Sequence, residues 1–297
     1  MRVALTGATG IAGAGIATAL ARAGHRVVAF GRREPAGRKL DLADPSSARA
    51  LDWAGAKILI HAAGVTDETA RDKELGPRIA IESWRALLDA GRAAGVGRVV
   101  YVSSAHVYGP LEGEIEEDAF PRPINEYARL HLASEQVLRT SGLAADILRA
   151  CNLYGFPADL ARFERWALIP YGFPRDAARE GRIVLKSPGQ QARNFLSAER
   201  LGEIVVATLA LPTAGWRVRN AVGRDTMSVR EFAGRVAALA GAALGREIAV
   251  EAPPPDIAPP PLRMRGAWGD TGAAYDDLDG FLARMIAACA ADRNGPP

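Results

Sequence analysis

The chain has 297 residues, a formal net charge of +3, 48% hydrophobic and 24% charged side chains, a balance that fits a folded globular protein and excludes wholesale disorder. Lysines and arginines are scattered rather than gathered in one block, so the composition offers no footprint for nucleic acid. Two cysteines, Cys151 and Cys289, and four histidines show neither CxxC nor metal-ligand spacing, which argues against a metal centre and fits a reduced, cytoplasmic protein.

From Val3 to Leu20 the chain carries no charge, and length alone invites comparison with a membrane span or a secretory leader. Its glycines point elsewhere. Arg2 to Thr6 reads as a short buried strand, Ile11 to Ala23 as an alanine-rich helix, and Gly7-Ala-Thr-Gly-Ile-Ala-Gly13 joins them. Strand, glycine turn and helix is a nucleotide-binding order. Glycine allows a tight turn, close backbone approach to a pyrophosphate and close packing of helix on strand, and the helix N-terminus offers free amides to the phosphates. The spacing is GxxGxxG rather than GxGxxG, and neither a targeting segment nor membrane contact is expected.

His25 to Phe30 reads as a second apolar strand, followed by Gly31-Arg32-Arg33. An acidic residue here would grip the ribose of NAD, whereas arginine suits the 2′-phosphate of NADP. Arg32 and Arg33 therefore favour NADP, with NAD possible and plain solvated loop arginines as the alternative. Lys57 to His61, running into Ala62-Ala63-Gly64, and Arg98 to Ser103 read as further strands, with helical patterns at 45–54, 78–94 and 125–142. Such alternation implies an α/β fold with a doubly wound parallel sheet and ligands at the carboxyl ends of its strands.

Residues 1–150 are expected to form a dinucleotide-binding domain. After Leu148-Arg-Ala-Cys-Asn-Leu-Tyr-Gly155 the alternation fades, so 151–297 is read mainly as a smaller substrate-binding lobe, the chain returning to the first domain at about 197–222. The proline-rich run Ala252 to Pro261 excludes regular helix and central strand. Residues 273–292 read as one amphipathic terminal helix, with Leu278, Phe281, Leu282 and Ile286 at helical spacing toward the core.

Two further segments narrow the reading: Tyr101-Val-Ser-Ser-Ala-His-Val-Tyr-Gly109 and Asn125-Glu-Tyr-Ala-Arg-Leu-His-Leu-Ala-Ser-Glu135. With the glycine turn, His61-Ala-Ala-Gly64 and Gly189-Gln-Gln-Ala-Arg-Asn-Phe195, the chain resembles the extended short-chain dehydrogenase/reductase family, which includes nucleotide-sugar epimerases, dehydratases and reductases. The ordered motifs run from Thr6 to Phe195. The resemblance implies a Rossmann-type sheet with a smaller C-terminal substrate lobe, and a cofactor held by Gly7, Thr9, Gly10, Ile11, Gly13, Arg32, Arg33, Asp41, Leu42, Ala62, Ala63, Gly64, Tyr127 and His131. It also implies Ser104 as active-site hydroxyl and Tyr127 as general acid/base. Substrate contacts fall on Ser104, Ala105, His106, Asn152, Arg193 and Arg263, with Asn152 and Arg193 at a nucleotide diphosphate.

Two positions depart from the family pattern. A phenol with a pKa near 10 needs a nearby cation to serve as a base at neutral pH, and the family supplies a lysine one helical turn after the tyrosine. Here His131 stands there, able to bond a cofactor ribose but often neutral. If protonated, His131 would lower the tyrosine pKa and make activity follow its own ionisation. The helix before the serine-bearing strand usually carries an asparagine, and gapless registration puts Ala80 in its place. His106 is either a loop histidine without a role or an acid/base facing the substrate, and Arg193 is either a surface ion-pair partner or a diphosphate clamp. Ala105 and His106 replace the acidic pair of the 4,6-dehydratases, leaving a 4-keto reductase, slightly preferred, or a 4-epimerase. The alternative is a catalytically weakened or inactive dinucleotide-binding sensor. A homodimer is also implied, pairing helices 78–94 and 125–142 of two subunits through Leu87, Leu88, Leu132 and Val137.

Overall fold

The computed structural model describes residues 1–32, 34, 38–255, 257–266 and 276–291. Six strands, β1 (Arg2–Thr6), β2 (Arg26–Phe30), β3 (Ile58–His61), β4 (Arg98–Ser104), β6 (Ala144–Ala150) and β10 (Trp216–Ala221), form one parallel sheet in the order β10-β6-β4-β3-β1-β2. The interior residues of β1, β2 and β3 are apolar, as a sheet covered by helices on each side requires, while β6 and β10 also carry Asp146, Arg149 and Asn220 buried among their apolar residues. The order reverses between β1 and β3, and a cleft at that switch point is where such folds take ligands.

Helices α1 (Ile11–Arg22) and α6 (Ala198–Ala210) cover one face, burying Ile16, Leu20, Leu201, Ile204 and Val205 against Val3, Leu5, Ile60 and Val100. They approach closely because Gly15 and Gly202 have no side chain: a Cβ on Gly202 would lie 2.8 Å from that of Ala19, and one on Gly15 would overlap the Ala198 carbonyl. The other face carries α3 (Trp84–Ala93) and α4 (Glu126–Arg139), with Trp84, Leu87, Leu88 and Leu138 packed on Ala4, Leu59, Val99 and Ile147.

Two helical expectations change in detail. Residues 45–54 form only a 3-10 helix at Pro45–Ala50, capped by the Asp44 carboxylate; the chain is extended at Leu51 and turns at Ala54 and Gly55, both at positive φ. The 78–94 helix is composite: one short turn, α2 (Leu75–Pro77), then a π-helix at Arg78–Ser83, then α3. Leu87 and Leu88, expected at a dimer contact, are instead 0% and 2% exposed in the chain's own core, because the inward stripe of α3 faces the sheet. Leu132 and Val137 are only partly buried.

Beyond β6 the chain builds a lobe of α5 (Ile169–Glu180), α7 (Val229–Leu244) and α8 (Leu278–Ala291), around Tyr171, Phe195, Phe232, Phe281 and Leu282. Three small sheets accompany it: β7 (Asn152–Tyr154), β9 (Ala192–Ser197) and β11 (Asp225–Ser228); β8 (Arg182–Val184) with β12 (Ala249–Glu251); and β5 (Glu114–Ile115) with β13 (Arg263–Met264). Between these elements, α6 packs on the large sheet and β10 pairs with β6 at its edge. Leu278, Phe281, Leu282 and Ile286 of the terminal helix are buried. Residues 273–275 and 292 of that expected helix lie outside the described residues. Among the described residues no helix is long and apolar enough to cross a membrane.

Candidate active site

The glycine turn meets the demands of a dinucleotide. Gly7 sits at φ 73°, where other residues are strained, and a Cβ there would lie 2.9 Å from the Ala62 carbonyl and the Ala63 amide. A Cβ on Gly13 would overlap the Gly7 carbonyl. Gly10, by contrast, would meet only the Gly7 oxygen, at 3.4 Å, so its other side is open. Gly10 caps α1 with no side-chain bond, and Thr9 and Gly10 are exposed. The first amides of α1, with Ile11 and Gly13 among them, are therefore left for an anion. After β2 the backbone of Gly31 bridges to Lys39 and its amide donates to the Arg38 carbonyl at 3.2 Å, and Arg32 is exposed. Arg33 lies outside the described residues. Asp41 and Leu42 form the following turn. The Asp41 carboxylate accepts from the Ala43 amide, and the Leu42 carbonyl accepts from Ser83 at 2.7 Å.

At the end of β3, Thr6 Oγ1 and His61 Nδ1 are 2.8 Å apart and the Ala63 amide donates to the Thr6 hydroxyl, which ties the tips of β1 and β3 together. Ala62, Ala63 and Gly64, the last at φ 154°, leave the end of β3 at the β1–β3 switch point.

Asn125 caps α4 by accepting from the Ala128 amide, which places Tyr127 in the first turn and His131 one turn on. The Ser104 hydroxyl lies against the Tyr127 phenol and works to lower its pKa, but burial is the stronger influence and pushes the phenol above its ordinary value. His131 is 6% exposed, with its ring 4.5 Å from the Tyr127 ring. Burial, helped by the field of His106, pushes its pKa down to about 4. The cationic help expected of His131 is therefore lacking: desolvation removes the charge before neutral pH is reached.

His106 lies on the open side of this pair, its ring 6.2 Å from that of Tyr127 and perpendicular to it. Its pKa is lowered by burial first and by Arg193 next, while Asp67 opposes them. Ala105 is buried at its back. Arg193 donates to the Ala192 carbonyl at 2.8 Å and has no carboxylate partner among the described residues, so the ion-pair reading does not hold. Burial works against its charge and lowers its pKa. Asn152 stands on the neighbouring strand, opposite Phe195. Arg263 is elsewhere: exposed on the β5–β13 ladder, 3.7 Å from Glu114.

A second tier was not foreseen. Tyr101, 2% exposed, places its hydroxyl 2.8 Å from His131 Nδ1. One turn past His131, fully buried Glu135 accepts from Ser103 at 2.7 Å and from Arg149 at 3.0 and 2.8 Å, fastening α4 to β4 and β6. Alternation along β4 places Tyr101 and Ser103 on one face, and the i, i+4 step from His131 to Glu135 matches it. Those two periodicities are the signal that could have revealed the tier. Ala80 lies in the π-helix, where its carbonyl accepts from Ser134 at 3.0 Å.

The model of the NAD dependent epimerase/dehydratase family matches residues 3–221. The chain belongs to that family. Among curated relatives, a ceramide reductase of Caulobacter vibrioides is 34% identical over 166 residues, 53% of this chain and 47% of that protein. A UDP-glucose 4-epimerase of Azospirillum brasilense is 35% identical over 173 residues, 52% and 49% of the two chains. The match thus spans about half the length of these relatives. Among solved structures, RMD of Pseudomonas aeruginosa with NADPH superposes with a TM-score of 0.77 at 22% identity, covering 98% of this chain and 99% of the other. A UDP-glucose 4-epimerase of Thermus thermophilus with NAD gives 0.75 at 24%, covering 97% and 100%. At such identities the likeness is one of fold. Family members use NAD or NADP, and the turn at Gly7, Gly10 and Gly13 fits such a group.

Proposed function

We propose that the chain is an NADP-dependent reductase of a keto group on a nucleotide-linked sugar, a 4-keto reductase rather than a 4-epimerase. What supports the reductive direction is Arg32, exposed directly after β2 at the place that suits the 2′-phosphate of NADP, since a reductase exchanges NADPH whereas an epimerase retains NAD. Burial raises the Tyr127 phenol and keeps His131 neutral, so Tyr127 is protonated at neutral pH and has a proton to give to a carbonyl oxygen.

The cofactor, when bound in reduced form, supplies a hydride to the carbonyl carbon. Tyr127 gives its phenolic proton to the carbonyl oxygen, and the Ser104 hydroxyl beside it hydrogen-bonds the same oxygen. Solvent reaching the open side of Tyr127 restores the proton. Arg193 and Asn152 hold the diphosphate, the guanidinium through paired charge-assisted bonds. His106 faces the substrate between them. Exposed Arg32 supports the choice of NADP. Assembly is proposed as a homodimer, with Leu132 and Val137 as its remaining apolar candidates.

The test is a panel of nucleotide-linked 4-keto sugars incubated with NADPH, followed by loss of the reduced cofactor. Oxidation of NADPH with one nucleotide class, faster than with NADH, is the expected result. Interconversion of 4-epimers without added cofactor would replace the reductase with an epimerase. Tight NADPH binding without any turnover would favour the sensor reading, for which neutral His131 and Ala80 already speak.

A further inference from the structure

Opposite charges compete for His106. Its backbone is fixed, the amide donating to the Ser104 hydroxyl at 3.2 Å and the carbonyl accepting from the Gly109 amide at 3.1 Å. The imidazole therefore has a set place beside the Tyr127 phenol, edge-on at 6.2 Å between rings. From β9, Arg193 acts against its protonation, and from the loop after β3, Asp67 favours it. The two are not equal. Arg193 is partly buried and faces no carboxylate among the described residues. Asp67 is half exposed and lies 3.7 Å from Arg165, so its field is screened by water and partly spent on another cation. From α4 the ring meets two neutral groups, the Tyr127 phenol and His131. Arg149 of β6 lies over Tyr108 in the same loop, but both its bonds go to Glu135. Burial and Arg193 thus keep His106 neutral in the empty site. A diphosphate diester, as in a nucleotide-linked sugar, carries two negative charges and no proton that titrates near neutral pH. One charge offsets Arg193, and the other is left to attract a cation.

We propose that His106 takes up a proton from solvent when a nucleotide diphosphate settles on Arg193, and so becomes the cation beside Tyr127 that buried His131 does not provide. This rests on the proposed reading of Arg193 as the diphosphate contact. One proton moves from solvent to a ring nitrogen on binding and returns when the nucleotide leaves. While it is held, the imidazolium makes the neighbouring phenol a stronger acid, so the site carries its cation only when a substrate is there to be protonated.

The test is calorimetric titration near neutral pH, with saturating NADPH, of UDP-glucose, dTDP-glucose and GDP-mannose in buffers of different ionisation enthalpy. None of the three has a keto group to reduce, and their diphosphates hold no titrating proton, so the slope of heat against buffer enthalpy counts protons exchanged by the protein. Expected is a net uptake of roughly 0.3 to 1 proton per nucleotide bound. His106→Asn should abolish the uptake and bind about tenfold more weakly or worse, the loss of a charged partner. In the nucleotide-free protein, Arg193→Gln should raise the pH at which the His106 nitrogens titrate by about half a pH unit or more. Binding without proton uptake, or uptake that persists in His106→Asn, overturns the proposal and leaves the diphosphate reading standing. An unmoved His106 titration in Arg193→Gln overturns it as well. If none of the three sugars binds at millimolar concentration, the diphosphate reading fails and the proposal with it. Should either variant not fold, nitrogen resonances of the parent decide, His106 being neutral alone and doubly protonated with nucleotide.

Discussion

At the α1 end of the cleft the requirement is empty space, met by Gly7, Gly10 and Gly13, where any added Cβ meets backbone or occupies the open cradle. At the α4 end the requirement is chemical, and there Tyr127 and Ser104 stand beside a histidine where the family carries a lysine. The comparison shows that space made by backbone admits no side chain, whereas an ionisation is set by burial: the His131 ring lies 6.1 Å from that of Tyr101 and 4.5 Å from that of Tyr127, and desolvation keeps it neutral.

The sharpest way to break this comparison is Gly13→Val. Overlap with the Gly7 carbonyl should abolish NADPH binding and lower the melting temperature by many degrees, both read in one thermal-shift titration. Retained binding would mean that the turn can move. Next, Tyr127→Phe should reduce turnover by roughly 10²- to 10⁴-fold while cofactor affinity holds, since one proton donor is removed without loss of volume.

The histidines make a prediction in pH. Burial lowers His61 to about 3 and His131 to about 4. Both lie below the unfolded value of about 6.5, so between those limits the unfolded chain binds more protons. Stability is then present in full above pH 6.5 and lost as pH falls toward 4, by about 3 kcal/mol for His131 at most. Denaturant melts at pH 7 and pH 4.5 check this, and His131→Gln should flatten the slope. The activity profile above pH 6 should show no histidine step from His131.

On the substrate side, Arg193→Ala should raise KM for a nucleotide-linked sugar by roughly 10- to 100-fold, the loss of a charge-assisted pair, with NADPH affinity unchanged. The smallest effect is expected of Arg32→Ala, about fivefold to tenfold weaker NADPH and unaltered NADH. Calorimetry with both cofactors reads it. Equal loss for the two would remove the 2′-phosphate assignment.

The parallel sheet, the glycine turn and the order Ser104, Tyr127, His131 were legible because each rests on local pattern: an apolar run, a turn needing φ above zero, a step of one helical turn. The ionisation of His131 was not, since it depends on burial against residues such as Tyr101, which is distant along the chain. Arg193 could be named from its motif, but its freedom from any carboxylate partner among the described residues is a tertiary fact. Arg263 was named from the resemblance, and its place on the β5–β13 ladder, exposed and 3.7 Å from Glu114, is a tertiary fact of the same kind.

The π-helix at Arg78–Ser83 also matters for how related chains are to be aligned. A π turn holds one residue more than an α turn. Removing a residue there would leave the helix continuous but turn all that precedes it by roughly 100° about its axis. Ile79 and Ala80, now packed on Leu130, would swing away, and the segment from Val65 to Pro77 that borders the cleft would be carried with them. Chain length in this short stretch therefore works as an angular setting, and a one-residue gap between homologues at this point signifies rotation of a wall of the site rather than a trimmed loop.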